Sequence, residues 1–374
     1  MDFIEIREVR SKKEMKKFIF LPKVIHKNHS QWVPPVYSQE WHYFNPQKNS
    51  AFSYSDVILA LAYVNSNVVG RIMGIINKRS NENANERNAR FSYLECPDSQ
   101  EIAHELLSII EKWAKEKGMK KIVGPMGFNN QDPQGFMVQG FEHNPTISTN
   151  INFDYINRLL SNEKYSKEKD YVVYKIDIPQ LMPELYEKIY NRMLRQNIFE
   201  SVEFSNRKKL KPFIIPILEL MNDCFKDIYG YQILDYEDMS NMGKRFINFL
   251  DPRFVKLVRK DDNLVGFNIA MPNISEGLRK AKGRLFPIGI IFILIESKKS
   301  KQLDTLLGGI KEEYRGRGID ALMAYKTIME AQKSGFKFAD SHLELENNTR
   351  VRAEMERLGG KVYKRYRIYK KHLQ

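Results

Sequence analysis

Residues 306–323, LLGGIKEEYRGRGIDALM, decide the fold of this 374-residue chain. The stretch predicts the end of a strand, a loop with two further glycines, and the first turn of a helix. Such a loop aims several backbone N–H groups and the positive end of a helix dipole at one point. Arg315 and Arg317 add cationic side chains that can bind an anion. The stretch therefore predicts an anion site, and the alternative is a solvated turn whose glycines serve only its dihedral angles.

The composition is that of a basic globular protein. Lys and Arg number 60 against 46 Asp and Glu, a formal charge of +14, which favours anionic partners. Cys96 and Cys224 lie far apart without the spacing of a metal site, so neither a disulfide framework nor a metal is expected. The sequence shows no signal peptide and no apolar run of membrane-spanning length. We therefore expect a cytoplasmic protein without a membrane partner.

The chain aligns with itself as a tandem repeat. Gly70 matches Gly266, while a glycine that follows a helical pattern, Gly118, matches Gly335. The separation between matched glycines grows from 196 to 217 residues. This growth predicts an insertion of about 21 residues between Met271 and about Gln302 in the second half. The insertion contains the apolar run LFPIGIIFILI, residues 285–295, for which we expect a buried strand at a sheet edge.

The order of elements in each half predicts an α/β (α+β) fold. Both halves alternate strands and helices around a hairpin, which favours a mixed, mostly antiparallel sheet flanked by helices. We place a first domain at residues 1–178, a linking helix at 179–195 and a second domain at 196–374.

Two motifs of the second half resemble the GNAT acyltransferase superfamily. IKEEYRGRGIDALM resembles its acyl-CoA pyrophosphate loop, and LELENNTRVRAEMERLGG resembles the motif in which an Asn after the fifth strand lies near the cofactor. The two halves together resemble bacterial tandem-GNAT proteins. The resemblance implies a gap between the fourth and fifth strands, and it offers the alternative for residues 285–295, a channel for a longer acyl chain. It also implies that acetyl-CoA or another acyl-CoA binds at Ile310, Arg315, Gly316, Arg317, Gly318, Ile319, Asp320 and Asn348.

Acyl transfer to an amine needs a base, and the fifth predicted strand offers candidates. Asp340, His342 and Glu344 alternate onto one strand face. We take His342 and Glu344 as the catalytic candidates, the alternative being a solvated sheet face. The position of the family's frequent acid, a tyrosine, holds Met355.

The first half is predicted to be a degenerate copy without the pyrophosphate loop. In the place of the loop it has LECPDSQEIA, residues 94–103, which contains no glycine. Asp98 and Glu101 predict a capping box at the start of a helix. The segment GFNNQDPQGFMVQGF, residues 127–141, is interpreted as part of an acceptor cleft or as a packed loop.

The sequence thus predicts an acyl-CoA-dependent N-acyltransferase, an acetyltransferase in the first instance, that acts on a small-molecule or peptide amine. One alternative is a non-catalytic CoA-binding sensor or scaffold. Another is a basic nucleic-acid-binding protein, suggested by the charge and by the alternating C-terminal segment KVYKRYRIYKK. That segment is also the ordinary pattern of a half-buried strand, which we favour.

Overall fold

A computed structural model describes residues 3–146, 149–247 and 249–373 of the chain, with the side chains of residues 245 and 246 outside the description. These residues form one continuous sheet of fourteen strands. The strands are β1 Ile4–Glu8, β2 Ser55–Val64, β3 Asn67–Asn77, β4 Asn88–Glu95, β5 Lys121–Gly124, β6 Phe136–Gln139, β7 Ser166–Asp177, β8 Glu200–Glu203, β9 Val255–Lys260, β10 Asn263–Pro272, β11 Gln302–Ile310, β12 Phe338–Asp340, β13 Glu344–Leu345 and β14 Lys361–His372.

Helices flank this sheet, as predicted for the fold class. They are α1 Lys12–Phe20, α2 Pro22–Ile25, α3 Tyr37–Tyr43, α4 Lys78–Ala84, α5 Gln100–Glu116, α6 Tyr155–Asn162, α7 Glu184–Gln196, α8 Arg207–Leu210, α9 Ile214–Phe225, α10 Tyr236–Phe246, α11 Ser275–Ala281, α12 Gly289–Lys299, α13 Ile319–Lys333 and α14 Thr349–Arg357. Pairing in the described sheet is antiparallel except between β4 and β5 and between β11 and β12. The predicted mixed, mostly antiparallel sheet is confirmed.

The repeat is visible in the packing of two glycines. A Cβ at Gly70 on β3 would lie 2.8 Å from Leu106 of α5, and a Cβ at Gly266 on β10 would lie 2.9 Å from Ile319 of α13. At both places a helix packs directly on the backbone of the hairpin's second strand. Only glycine leaves room for this approach, so the two glycines have the same role in the two halves.

The two halves exchange their last strands. The strand order is β1-β2-β3-β4-β5-β14-β7-β12-β11-β10-β9-β8. The C-terminal strand β14 therefore lies beside β5 of the first half, and β7 of the first half lies beside β12 of the second. Residues 1–178 and 196–374, the domains expected from the repeat, each contribute a strand to the other's part of the sheet.

The insertion of the second half adopts a different structure from the one expected. Between β10 and β11 lie two helices, α11 and α12, where the first half has only α4 between β3 and β4. The prediction of a buried edge strand at residues 285–295 is wrong, because this run forms most of α12 and much of it is exposed. No helix in the described ranges has the length and apolar character needed to cross a membrane.

The C-terminal segment is a central strand of the sheet. Tyr366, Ile368 and Tyr369 of β14 are buried. Four basic side chains of the same strand pair with carboxylates of neighbouring elements: Arg365 with Glu346, Arg367 with Asp170, Lys370 with Glu168 and Lys371 with Glu111. The alternation of basic and aromatic residues is thus explained by sheet structure, as the strand interpretation predicts.

Candidate active site

Strands β11 and β12 separate after three residue pairs. Their parallel ladder ends at the pair Asp304 and Asp340. Beyond this pair β11 continues to Ile310 along β10. The segment that follows β12 turns away at His342, which has a left-handed φ of +60°, and then pairs with β7 at Glu344. In the described residues the edge of β11 that faces this gap has no partner strand beyond Asp304. The predicted gap between the two strands is therefore present.

The gap opens into a cavity of about 1080 Å³. Seven of the residues predicted from the sequence line it: Ile310, Arg315, Gly316, Asp320, His342, Glu344 and Asn348. Arg317, Gly318 and Ile319 lie in the same loop but outside the cavity wall, and Ile319 is fully buried in the packing of α13.

The glycine loop leaves the N-terminus of α13 without a side-chain cap. Gly316 and Gly318 have φ values of +73° and +88°, and Gly318 occupies the N-cap position. The first N–H groups of a helix have no partner within the helix, so those of α13 are available to an external acceptor. A Cβ at Gly316 would meet no heavy atom within 4 Å. The donors and the open space around Gly316 fit a phosphate group.

Cationic side chains surround this loop. The Nε of Arg315 donates to the carbonyl of Ile310 at 3.1 Å, which holds the side chain along the cavity wall. The guanidinium of Arg317 lies 5.5 Å from the ring centroid of Tyr314. Arg192 of α7 also approaches the loop, with its guanidinium 3.7 Å from where a Cβ of Gly318 would stand. The sequence reasoning did not find Arg192, because it lies more than a hundred residues before the loop.

Three carboxyl groups line the cavity, one at the glycine loop and two on elements next to the gap. Burial raises the pKa of Glu344 to about 8, and the charge of Glu354 adds to this rise. Burial likewise raises the pKa of Glu354 to about 7, with a further contribution from Asp320 and an opposing one from Arg357. Glu344, Glu354 and Asp320 all line the cavity. A carboxyl group with a pKa near neutrality is suited to accept and release protons during a reaction.

The expected row of Asp340, His342 and Glu344 on one strand face is wrong. The left-handed backbone at His342 interrupts the strand, so the alternation of side chains is lost. Asp340 is fully buried, and its carboxylate pairs with Lys364 at 2.6 Å and accepts from the hydroxyl of Tyr363. His342 and Glu344 remain on the cavity wall, whereas Asp340 belongs to the protein core.

Asn348 has a structural role as well as its place on the cavity wall. Its side chain accepts a hydrogen bond from the N–H of Val351 at 3.4 Å and caps α14. Met355 also lines the cavity and offers no proton, as expected from the sequence. Cys224 faces the same space, but burial raises the pKa of its thiol to about 11, so it stays protonated near neutral pH.

One part of the cavity is apolar. It extends from the gap beneath α9 and α10 and is lined by Leu210, Ile214, Ile217, Leu218, Met242, Ile247, Leu250, Val255, Phe267, Ile269, Leu303 and Leu307. We call this set of residues the apolar arm. Most of its members belong to the hydrophobic core that α9 forms with β9 and β10. An apolar chain in the arm would therefore be surrounded by aliphatic and aromatic side chains.

The whole architecture matches solved structures. A tandem GNAT protein from the clavulanic acid biosynthesis pathway superposes with a TM-score of 0.58 at 10% identity, covering 100% of this chain and 99% of that one. A GCN5-related N-acetyltransferase from Sphaerobacter thermophilus gives a TM-score of 0.50 at 13% identity, with 99% and 96% covered. The chain has the tandem GNAT fold.

Sequence comparison adds one informative relative. The "Bacterial ceramide synthase" of Caulobacter vibrioides (strain NA1000 / CB15N) is 24% identical over 377 residues, which cover 99% of this chain and 98% of that protein. No protein-family model matches the sequence.

The first half of the tandem GNAT fold lacks the features of an anion site at the corresponding helix. The hydroxyl of Ser99 caps α5 by accepting from the N–H of Ile102 at 3.3 Å. The predicted capping box of Asp98 and Glu101 is wrong, because Ser99 is the N-cap and Asp98 pairs with Arg158. The N-terminus of α5 is therefore capped by a side-chain oxygen, whereas the N-terminus of α13 has no side-chain cap.

The first half instead contributes a wall of the cavity. Asn130, Gln131, Asp132 and Gln134 line it together with Tyr171 of β7. Asp132 anchors this loop by accepting from the N–H of Phe128 at 2.8 Å and from the hydroxyl of Tyr43 at 3.1 Å. The interpretation of the segment as part of a cleft agrees with this placement, and the segment contributes polar groups to the cavity wall.

Proposed function

We propose that this protein is an acyl-CoA-dependent N-acyltransferase that joins a long acyl chain to the amine of a lipid-like acceptor. One observation carries the proposal: a single cavity contains the uncapped glycine loop, the gap between β11 and β12, the carboxyl of Glu344 and the apolar arm. Its volume, about 1080 Å³, is slightly above the range of ordinary ligand pockets, about 300 to 1,000 Å³. An acetyl group would leave most of the apolar arm empty.

The relative's name supports the same substrate class. A ceramide is an amide between a fatty acid and a long-chain amino alcohol, so a ceramide synthase forms an N-acyl bond on a lipid amine. Identity of 24% extends over nearly the full length of both chains. For this chain we therefore propose a long-chain amino alcohol as acceptor and a long-chain acyl-CoA as donor.

Acyl-CoA, when bound, supplies a thioester as the acyl donor and an anionic pyrophosphate as its handle. The N–H groups of residues 316–320 and the guanidinium of Arg315 would hold the pyrophosphate. The unpaired edge of β11 offers N–H and C=O groups to the amides of CoA that lie between its pyrophosphate and its thioester, as a sheet edge binds an extended peptide. The apolar arm would hold the acyl chain.

Glu344 has the position and chemistry of the general base. Its ionised carboxylate can take the proton of the acceptor's ammonium group and leave a neutral amine with a free lone pair. His342 is the second candidate on the same wall. The polar side chains of residues 130–134 would orient the head of the acceptor.

The test is a matrix of donors and acceptors. Release of CoA thiol is measured for acyl-CoA of two to sixteen carbons, each with a long-chain amino alcohol and with a water-soluble polyamine, and the products are identified by mass spectrometry. We expect turnover to increase with chain length and to require the lipid amine. Turnover with acetyl-CoA and the polyamine alone would disprove the substrate class. Tight CoA binding without thiol release for any pair would favour the non-catalytic alternative.

A further inference from the structure

The insertion of the second half carries a large exposed apolar surface. Among the described residues, five strongly exposed large hydrophobic side chains lie within ten consecutive positions: Phe286 (78%), Ile288 (57%), Ile291 (52%), Leu294 (46%) and Ile295 (44%). We call these five residues the apolar patch. Ile291, Leu294 and Ile295 follow the spacing of one face of α12, and Phe286 and Ile288 lie directly before the first residue of that helix. Isolated exposed hydrophobic residues are ordinary, whereas a contiguous patch marks an interaction surface.

The opposite side of α12 is packed firmly on the protein. Ile293 is buried, and its Cα would be 2.5 Å from a Cβ at Gly277 of α11. Ile293 belongs to a hydrophobic cluster with Met271, Ile274, Leu278, Val33, Val36, Phe249, Leu285 and Leu306. The three patch residues of α12 are therefore presented by a helix that is packed on the protein, and Phe286 and Ile288 stand at its N-terminal end.

Cationic residues border the patch at both ends. Lys282 and Arg284 precede it and are exposed, and Lys298 and Lys299 follow it and are also exposed. The acidic residue within this interval, Glu296, is partly buried and pairs with Lys280 at 2.9 Å and Lys299 at 3.2 Å. An apolar centre with basic margins is the pattern of a segment that lies in the interface of an anionic membrane.

We propose that α11 and α12 dock this protein onto anionic lipid surfaces, with the apolar patch inserted among the acyl chains and the basic residues on the headgroups. Cationic margins favour such a surface over a second copy of this chain, because two copies would bring like charges together. The proposal concerns attachment and does not depend on the proposed reaction.

The patch is adjacent to the cavity. Leu306 lines the cavity and also belongs to the cluster beneath α12. A lipid surface in contact with the apolar patch would thus be separated from the cavity by α12 and the hydrophobic cluster on which it packs. Such an arrangement shortens the path of a lipid from the membrane to the site.

The test is flotation of the full chain with vesicles of phosphatidylcholine alone and with 30% phosphatidylglycerol. We expect binding to the anionic vesicles that decreases as salt is raised. Ile291→Ser combined with Leu294→Ser should lower the partition coefficient roughly tenfold or more at any salt concentration. Lys298→Glu combined with Lys299→Glu should remove the preference for anionic vesicles.

The matched control is Leu185→Ser combined with Leu194→Ser, two equally exposed leucines of α7 outside the patch. This control should float like the parent. Failure of the parent to bind anionic vesicles, or equal loss in the control, would overturn the proposal. So would gel filtration showing a dimer that the patch variant converts to a monomer, since the patch would then be covered by a second copy. Circular dichroism verifies that each variant is folded.

Discussion

The side chains of Lys364 and Asp340 form an ion pair of 2.6 Å with no exposed surface on either residue. Lys364 belongs to the exchanged strand β14, and Asp340 ends β12 at the point where the gap opens. Asp340 lies opposite Asp304 in the ladder, and burial together with the charge of Asp340 raises the pKa of Asp304 well above its usual range. The ammonium of Lys364 also donates to the carbonyl of Asn144 at 3.1 Å. One buried lysine thus connects both halves at the root of the gap.

Removal of this lysine should be costly. Lys364→Met leaves the carboxylate of Asp340 buried without its cation, which typically destabilises by about 3 to 5 kcal/mol. We expect that loss in the free energy of unfolding, measured with urea at pH 7. The double variant with Asp340→Asn removes both charges and should recover at least half of the loss. If the single variant is as stable as the parent, the pair contributes nothing to holding β14.

Separation of the halves should prevent folding. Residues 1–178 lack β14, and residues 179–374 lack β7, so each fragment would expose the edge that the missing strand covers. We expect each fragment to aggregate when expressed alone, and the two to co-purify as a complex when expressed together. A monomeric fragment 179–374 that unfolds cooperatively would contradict this expectation.

The repeat could be predicted from sequence, but the exchange of strands could not. Matched glycines such as Gly70 and Gly266 mark positions where local packing admits no side chain, so they are visible in the sequence. The strands β7 and β14 have similar alternating patterns, and either could pair with β5. The choice depends on long-range contacts such as that between Lys364 and Asp340, which no local pattern records.

The candidate site was predictable where it is local in sequence. The glycine loop and Asn348 follow from short motifs. Glu354, Arg192 and the apolar arm come from separate elements and could not be assembled without the fold. The sequence predicts a strand for residues 285–295, where the structure has most of α12. Nearly every residue of this run is apolar, so the spacing of apolar residues does not distinguish a helix from a strand. The expectation of no membrane partner rests on the lack of spanning segments and of a signal peptide, and it stays a prediction, against which the proposed docking of α12 is to be tested.

Glu344→Gln should abolish most of the turnover. Loss of a general base typically lowers kcat about 100- to 10,000-fold, and the amide keeps the size of the side chain. The affinity for acyl-CoA should change little, because the carboxyl lies in the gap and not at the loop. In the parent, kcat should rise with pH up to about 8, the pKa of Glu344, and then level off. The variant should lose this dependence.

Glu346→Gln is the control for that substitution, since Glu346 lies two residues further on and pairs with Lys167 and Arg365. It should keep the parent's pH profile. The folded protein holds a proton on Glu344 up to about pH 8, whereas the unfolded chain releases it near pH 4.5. The free energy of unfolding of the parent should therefore decrease as the pH rises from about 4.5 to about 8. This decrease should be smaller in Glu344→Gln. An unchanged pH profile of kcat in that variant would remove Glu344 from the mechanism.

The apolar arm should set the preferred acyl chain. Met242 of α10 lines the arm, and Met242→Trp would fill space that the far end of a long acyl chain would occupy in the proposed binding mode. Each methylene excluded costs about 0.8 kcal/mol of burial. Exclusion of three or four methylenes should therefore lower kcat/KM for a sixteen-carbon donor at least tenfold while sparing an eight-carbon donor. Met242→Ala is the opposite control and should retain long donors. Equal effects on both chain lengths would place the chain elsewhere.

Asp320 should weaken the binding of CoA. It lies in the first turn of α13, where a carboxylate interacts favourably with the helix dipole by roughly 0.3 to 1 kcal/mol. A pyrophosphate at about 6 Å would be repelled by roughly 3 kcal/mol at an effective dielectric near 20, before screening by salt and by Arg315. Repulsion is the larger effect, so Asp320→Asn should tighten CoA binding about tenfold in calorimetric titration. Glu313→Gln removes an equal charge from an exposed position of the same loop and should change the affinity much less. Weaker binding in Asp320→Asn would mean that Asp320 orders the arginines of the loop, and the loop would then bind its anion in another way.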